Sequence, residues 1–463
     1  MAADPDSKKL TRLLERMFEG RLVPFAGAGI SLGAQHESRC DFEPSTAAMK
    51  RALARALHSM IEASSPAVLD ALPEEMADLA KPEAHCKYNL DRLAEAAHWL
   101  FGAAGVCTIL AIPAFAELQP RPAHRYLAYL AREGLITEII TTNYDCCIER
   151  AFRDSFGPPA GGGVTQSQSD AAFKVIYDLD SYRRGGGLHQ TGHGRPTLRL
   201  YKINGCAWAY TYGRQAAGQI ILSERQLQDF GARRWARDLL ADRVRTSALL
   251  FCSFGSEEPQ VRHTALAIID EFRDSANGHD PGALANAPAI VPHKRVSFVQ
   301  AQLALAYHRA HYGSANDVNY NDAEALAAAL GEFVLTISDI DETAGPREPI
   351  EADLFFERLY QAAMSRLIRR LLYRDGGFYA WLDTLTCRPG VWCESIRANL
   401  YNTGTEFGLK KTLFSLVKPP QDSSSATGAQ AGTGPQCCEK PQDSPAPPIA
   451  SVAGVAPRGP ARP

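Results

Sequence analysis

The chain lacks several things that would narrow its class at once. It has no excess of charge: 49 Lys and Arg against 52 Asp and Glu give a formal net charge of −3. A surface built throughout for nucleic acid is therefore excluded, and nucleic acid is not indicated as a partner. No apolar run is read as long enough to span a bilayer, which takes roughly 18 residues, so no membrane association is expected. The opening residues, Met1-Ala2-Ala3-Asp4-Pro5-Asp6, are acidic and polar, unlike a secretory leader. Eleven cysteines are present, yet no Cys-x-x-Cys pair occurs. Neither a zinc ribbon nor a thioredoxin-type motif is written into the chain, and no metal site is expected. Cysteines inside apolar runs, such as Cys107 and Cys252, behave as buried thiols and fit a reducing cytoplasm.

What is present is an ordinary globular composition, 45% hydrophobic and 22% charged over 463 residues, enough for two or more domains. Residues 7–19 place Leu10, Leu13, Leu14 and Met17 on one helical face. Leu22-Val23-Pro24-Phe25-Ala26 then reads as a strand, followed directly by Gly27-Ala28-Gly29-Ile30-Ser31. Glycines there let the backbone approach an anion, and free N–H groups of a following turn would point at it. Helices are expected at about 44–62, 90–101 and 123–132, the last ended by Gly134.

Ile139-Ile140-Thr141-Thr142-Asn143-Tyr144-Asp145 is the stretch around which the rest is organised. It reads as a buried strand, a polar turn and a helix start, with an amide and a carboxylate where open α/β sheets bind ligands. Such a turn also serves simply to cap a helix. Further strands are expected over 172–179, 198–203, 220–222 and 248–252, with Ser223 and Gln226 as a capping box. The segment from Arg183 to Pro196, with His189 and His193, reads as a loop. The fold class implied is α/β, a Rossmann-like parallel sheet with flanking helices, over residues 1–340. A small helical C-terminal appendage is expected over 346–418, and a disordered Pro/Ser/Ala/Gly-rich tail over 419–463.

Three pieces in this order resemble a sirtuin-like domain over roughly residues 7–335. They are Gly27-Ala28-Gly29-Ile30-Ser31; Pro122-Ala123-His124-Arg125-Tyr126-Leu127-Ala128 followed by Ile140–Asp145; and Leu250-Phe251-Cys252-Ser253-Phe254-Gly255 through Pro259. The second piece is similar to the zinc-free branch found in bacterial antiphage-defence proteins. In the third, Ser253 stands where a glycine is usual and Glu258 where an aspartate is usual. The resemblance implies NAD as substrate or ligand, no zinc, and cleavage of the nicotinamide–ribose bond. It implies a homo-oligomer or a partner protein encoded nearby. By resemblance, Gly27, Ala28, Gly29, Ile30 and Ser31 would hold the pyrophosphate with their backbone. Asn143 would orient the ribose or the attacking water, Asp145 and Thr142 would support that turn or touch the cofactor, and Ser253 and Glu258 would lie near the adenosine half.

One departure stands out. The family's next motif is a strand ending in Lys-x-His-Gly, whose histidine is a general base. Here the matching residues are Lys202-Ile203-Asn204-Gly205, and an amide accepts no proton near neutral pH. The expectations are therefore an NAD glycohydrolase or, alternatively, a weak or inert NAD or ADP-ribose sensor or structural subunit.

Overall fold

The computed structural model describes residues 8–64, 83–155, 173–185, 198–229, 233–254, 289–291, 323–336 and 351–374, with Asp78, Lys81, Asp339 and short runs between 261 and 308. All of these fall within one unit, Met1–Cys393. Among the described residues are six strands: β1 (Leu22–Ala26), β2 (Glu138–Thr141), β3 (Phe173–Ile176), β4 (Leu198–Lys202), β5 (Ala248–Cys252) and β6 (Ala289–Val291). They lie in the order β3-β4-β2-β1-β5-β6, and every pair is parallel. Each residue of β1, β2 and β5 is buried. Strands covered on both faces need apolar residues at consecutive positions, which is why these read as unbroken runs.

Register places the site. Ala26 pairs with Thr141 on one side and Cys252 on the other, and Thr141 pairs with Lys202. Four strands thus end level. Strand order reverses about β1, with β2 and β4 to one side and β5 and β6 to the other, so the crevice lies at the carboxyl ends beside β1. Val23, Phe25, Ile140, Tyr201 and Phe251 pack with Trp235, Leu239 and Leu240 of the helix Arg234–Thr246 in the main core. A second core joins the helices Thr46–Glu62 and Leu90–Ile109 to Phe115, Tyr144 and Leu222 beside the crevice.

The structure corrects several expectations. The stretch 90–117 contains an 18-residue window of mean hydropathy 1.9, enough by length and composition to cross a membrane, contrary to the sequence reading. Its helix leaves helical geometry at Gly102 (φ 67°), and Leu93, Ala94, Ala97, Val106 and Cys107 pack in the core with Leu53 and Leu57. The expected strand 220–222 is an extended segment instead. Ile221 N–H donates to Asn204 O at 2.8 Å, and the three side chains are buried. Residues 179–185, expected partly as loop, form the helix Leu179–Gly185.

The helix Ala352–Arg374 belongs to the expected appendage, but it lies against the helix Pro122–Arg132. Phe355, Phe356, Leu359 and Ala363 are fully buried. Asp353 accepts the Ala123 N–H at 2.9 Å and pairs with Arg121. Residues 375–418, the tail 419–463, and His189, His193 and Glu258 lie outside the described residues.

Gly27 shows why the first turn needs glycine. A Cβ there would stand 2.4 Å from Phe254 Cα and 2.6 Å from Ser253 O, backbone that has no room to yield. Gly27→Ala is expected to destabilise the fold by about 1–3 kcal/mol, the cost of overpacking. The check is the urea midpoint: it should fall for Gly27→Ala and stay for Gly218→Ala, where no atom lies within 4 Å of the added Cβ.

Candidate functional site

The level ends of β1, β2, β4 and β5 open on a cavity of about 540 Å³, within the roughly 300–1,000 Å³ usual for small-molecule sites. Each strand contributes its turn. Ala28, Gly29 and Ser31 follow β1; Thr142, Asn143 and Asp145 follow β2; Asn204 follows β4; Ser253 and Phe254 follow β5. Ser45, Met49, Asp91, Phe115 and Leu222 complete much of the wall. Residues far apart in sequence and singled out in it therefore share one space. Two do not line it: Gly27 sits behind it, and the Ile30 side chain is 1% exposed in the core.

The turn after β1 is a single 3-10 turn, Ala28–Ser31. Gly27 N–H donates to Cys252 O and Gly29 N–H to Ser253 O, both at 3.0 Å, while Ile30 N–H bonds Gly27 O at 3.2 Å. These bonds stitch the β1 turn to the β5 turn. They also narrow the expected anion cradle, because the Gly29 and Ile30 amides already have acceptors. Ser253, where the resembled family uses glycine, adopts a left-handed backbone (φ 51°), a conformation that costs a non-glycine residue about 1–2 kcal/mol.

Ser31 is the knot of the site. Its hydroxyl donates to Asp145 Oδ2 at 2.8 Å, lies 3.1 Å from His124 Nε2, and accepts from Asn143 Nδ2 at 3.3 Å. Nδ1 of His124 accepts the Arg121 backbone N–H at 3.0 Å. In the neutral ring the proton therefore sits on Nε2 and points at Ser31. Burial pushes His124 below its ordinary value of 6.5, so the ring stays neutral. Burial alone would raise the Asp145 carboxyl. The Lys202 ammonium and the hydrogen bonds from Ser31 and from Cys147 N–H more than reverse that and hold it below the usual range.

Asn143 is fixed from two sides. Its Nδ2 also donates to Gly27 O at 3.1 Å, and its backbone N–H donates to Thr141 Oγ1 at 3.1 Å. The carbonyl acceptor settles which end of the carboxamide is nitrogen. Oδ1 is buried and has no hydrogen-bond partner among the described residues. Below the turn, Lys202 is wholly buried. Its ammonium donates to Tyr144 O at 3.2 Å, to Asp145 O, and to Glu149 Oε1 at 2.8 Å. Burial would lower the Lys202 pKa, but Cys206, Glu149, Cys146 and Asp145 raise it well above its ordinary value.

The sequence reading named no role for His124, Lys202 or Asp91. His124 carried one usable signal, its place three residues into a helix that follows Arg121-Pro122, where a side chain reaches back to a free backbone amide. The role of Lys202 shows only once β4 lies beside β2.

Residues 137–308 match the family model described as the SIR2-like domain. That match, running from β2 past β5, is what the chain shares with the family. The matched span holds Asn143, Asp145, Asn204 and Ser253, while the glycine turn and His124 precede it. No curated protein matches the chain. Among solved structures, the crystal structure of a Sir2 homolog–NAD complex is similar at 13% identity, covering 77% of this chain and 94% of that one, with a TM-score of 0.27. That superposition is too loose to locate any residue of the site.

The buried neutral His124 has a consequence for acid stability. Its folded value lies below 6.5, so below that pH the unfolded chain takes up a proton that the folded chain refuses. Its stability contribution is complete above about pH 6.5 and is lost as pH falls toward the folded value. Asp145 acts further down, its contribution present above the ordinary 3.8 and lost as pH falls through the folded value. Thermal midpoints recorded from about pH 7.5 to 5 should fall less steeply below pH 6.5 in His124→Gln than in the wild type.

Proposed function

We propose that the SIR2-like domain binds NAD as a substrate and hydrolyses its nicotinamide–ribose bond. The observation that carries this reading is Asn143. A carboxamide is locked by Gly27 O and Ser31 on the wall of a cavity at the carboxyl edge of a parallel sheet. Its oxygen is left for a donor from outside the described residues. A buried acceptor without a partner costs about 1–3 kcal/mol and is retained where a ligand or an ordered water meets it.

In the proposed reaction the C1′–nitrogen bond breaks and the electron pair leaves with nicotinamide, which becomes neutral. Departure therefore needs no acid. The ribose is left as an oxocarbenium-like cation. Water adds at C1′ and loses a proton, giving ADP-ribose. Asn143 Oδ1 would orient that water, and Ser31, His124 and Asp145 would hold Asn143. The Asp145 oxygens are engaged by Ser31 and Cys147. Asp91 is the other lining carboxylate and is assigned here to the water's proton. The finer reading rests on the sequence motifs over 122–128 and 140–145. It is an antiphage-defence branch without the Cys-x-x-Cys zinc module, acting in the cytoplasm as an oligomer or with a partner protein.

One observation favours a second reading, binding without turnover: Asn204 lines the cavity where the resembled family places its histidine base. Nicotinamide release from NAD by the purified chain separates the two. Under the hydrolase reading, Asn143→Ala lowers release by at least about 100-fold and Asp91→Asn lowers it by about 10²–10⁴-fold, the usual worth of general-base help. Under the binding reading, NAD binds, nothing is released, and Asn204→His creates turnover. Absence of both binding and release would sink both.

A further inference from the structure

The expectation of no metal site came from cysteine spacing along the chain. The fold overrides spacing. Cys146 in the turn after β2, Cys206 in the turn after β4, and Glu149 in the helix Cys147–Asp154 bring two Sγ atoms and a carboxylate oxygen within 4.8 Å of one another. All three residues are buried, at 4%, 2% and 6% exposure. Around a tetrahedral zinc ion, with Zn–S of about 2.3 Å and Zn–O of about 2.0–2.2 Å, donors stand roughly 3.3–3.8 Å apart, a separation this cluster reaches with small side-chain rotations.

A second observation points the same way. Glu149 gives one oxygen to Lys202 at 2.8 Å, but its Oε2 is buried with no hydrogen-bond partner among the described residues. A carboxylate oxygen so placed beside two thiols awaits a cation. Contrast the other compact group, His124, Asp145 and Cys147. There both Asp145 oxygens and both His124 nitrogens already have hydrogen-bond partners, so that group offers no donor to an ion.

We propose that Cys146, Glu149 and Cys206 bind a soft divalent cation of the Zn²⁺ class. Two thiolates and the Glu149 carboxylate balance the ion and the Lys202 ammonium, so the buried group is neutral as a whole. All three ligands line one wall of a second cavity, of about 820 Å³. The fourth position of a tetrahedral ion opens to that cavity and takes water or a small anion. The ion ties the turn bearing Asn143 to the turn bearing Asn204, from outside the dinucleotide cavity. The site stands on its own geometry and does not depend on NAD turnover.

The test uses reduced full-length protein, stripped of metal by dialysis against a chelator and titrated with Co²⁺, then Zn²⁺. One Co²⁺ per chain is expected, with thiolate-to-cobalt charge-transfer absorption and the strong visible bands of tetrahedral cobalt, displaced by Zn²⁺. Cys206→Ser and Cys146→Ser should each weaken binding by at least about 100-fold, and Cys86→Ser, at an exposed thiol, should leave it unchanged. Binding should also raise the thermal midpoint, since the unfolded chain holds no such cluster. Absence of the charge-transfer band in the wild type at stoichiometric cobalt overturns the proposal, whatever the variants do. So does equal affinity in a folded Cys206→Ser.

Discussion

A single hydroxyl holds the site in register. Ser31 can donate one hydrogen bond and accept two, and all three are used, on Asp145, His124 and Asn143. Because Arg121 N–H takes His124 Nδ1, the direction of every bond in the chain is fixed: His124 donates to Ser31, and Ser31 donates to Asp145. A carboxylate at the end accepts and never needs to donate. The β1 turn and the β2 turn are thereby joined through side chains, while backbone bonds from Gly27 and Gly29 join the β1 turn to the β5 turn. Asn143 has one rotamer and one flip compatible with all of this.

The support for that knot extends outward in both directions. Beneath it, the buried Lys202 ammonium pulls two carbonyls of the Asn143–Asp145 turn toward β4. A buried charge is costly unless paired and hydrogen-bonded, and here the pairing with Glu149 sits one helical turn beyond Asp145. Around it, Arg121 reaches both Leu32 O, just past the glycine turn, and Asp353 at the start of the helix Ala352–Arg374. That helix therefore braces the histidine helix, which a sequence view of it as an appendage does not convey.

The strands of the sheet's centre were legible because burial on both faces demands apolar residues without alternation, and Leu22–Ala26 and Ala248–Cys252 satisfy that demand almost residue by residue. The two turns were legible as turns because glycine, asparagine and aspartate follow such strands, but each residue type also serves a plain turn or a helix cap, and only the fold shows that they share one cavity. Legibility stopped where the cause is a contact between distant residues. Strand order, the Lys202 contacts and the Arg121–Asp353 pair exist only after the chain has folded. The Cys146–Cys206 approach was hidden for the same reason, since metal-ligand spacing is a local code and this cluster spans two crossovers. Ile220–Leu222 misled because an apolar triplet beside a turn is buried as well by packing in the core with Tyr144 and Cys107 as by joining a sheet. The stretch 90–117 misled because a few polar residues, His98 and Thr108 among them, obscure how long it runs without charge.

Under the proposed hydrolysis, the asparagine at 204 bears on chemistry less than its place in a motif suggests. A nicotinamide leaving as a neutral molecule from a cationic substrate asks for no proton in the bond-breaking step. The difficulty lies in the positive charge that moves onto the ribose, and preorganised dipoles and fixed carboxylates meet that need better than a titrating base. This cavity offers such groups: the Asn143 carboxamide, held rigid, and the Asp145 carboxylate behind it, kept ionised by its hydrogen bonds. The water that follows still needs a base, a task assigned in the proposed reaction to Asp91, so it does not call for a histidine at 204. In the proposed reaction, cleavage therefore turns on whether Asn143 stays locked against Ser31 and Gly27, and an amide at 204, adding a dipole and no charge, leaves that lock untouched.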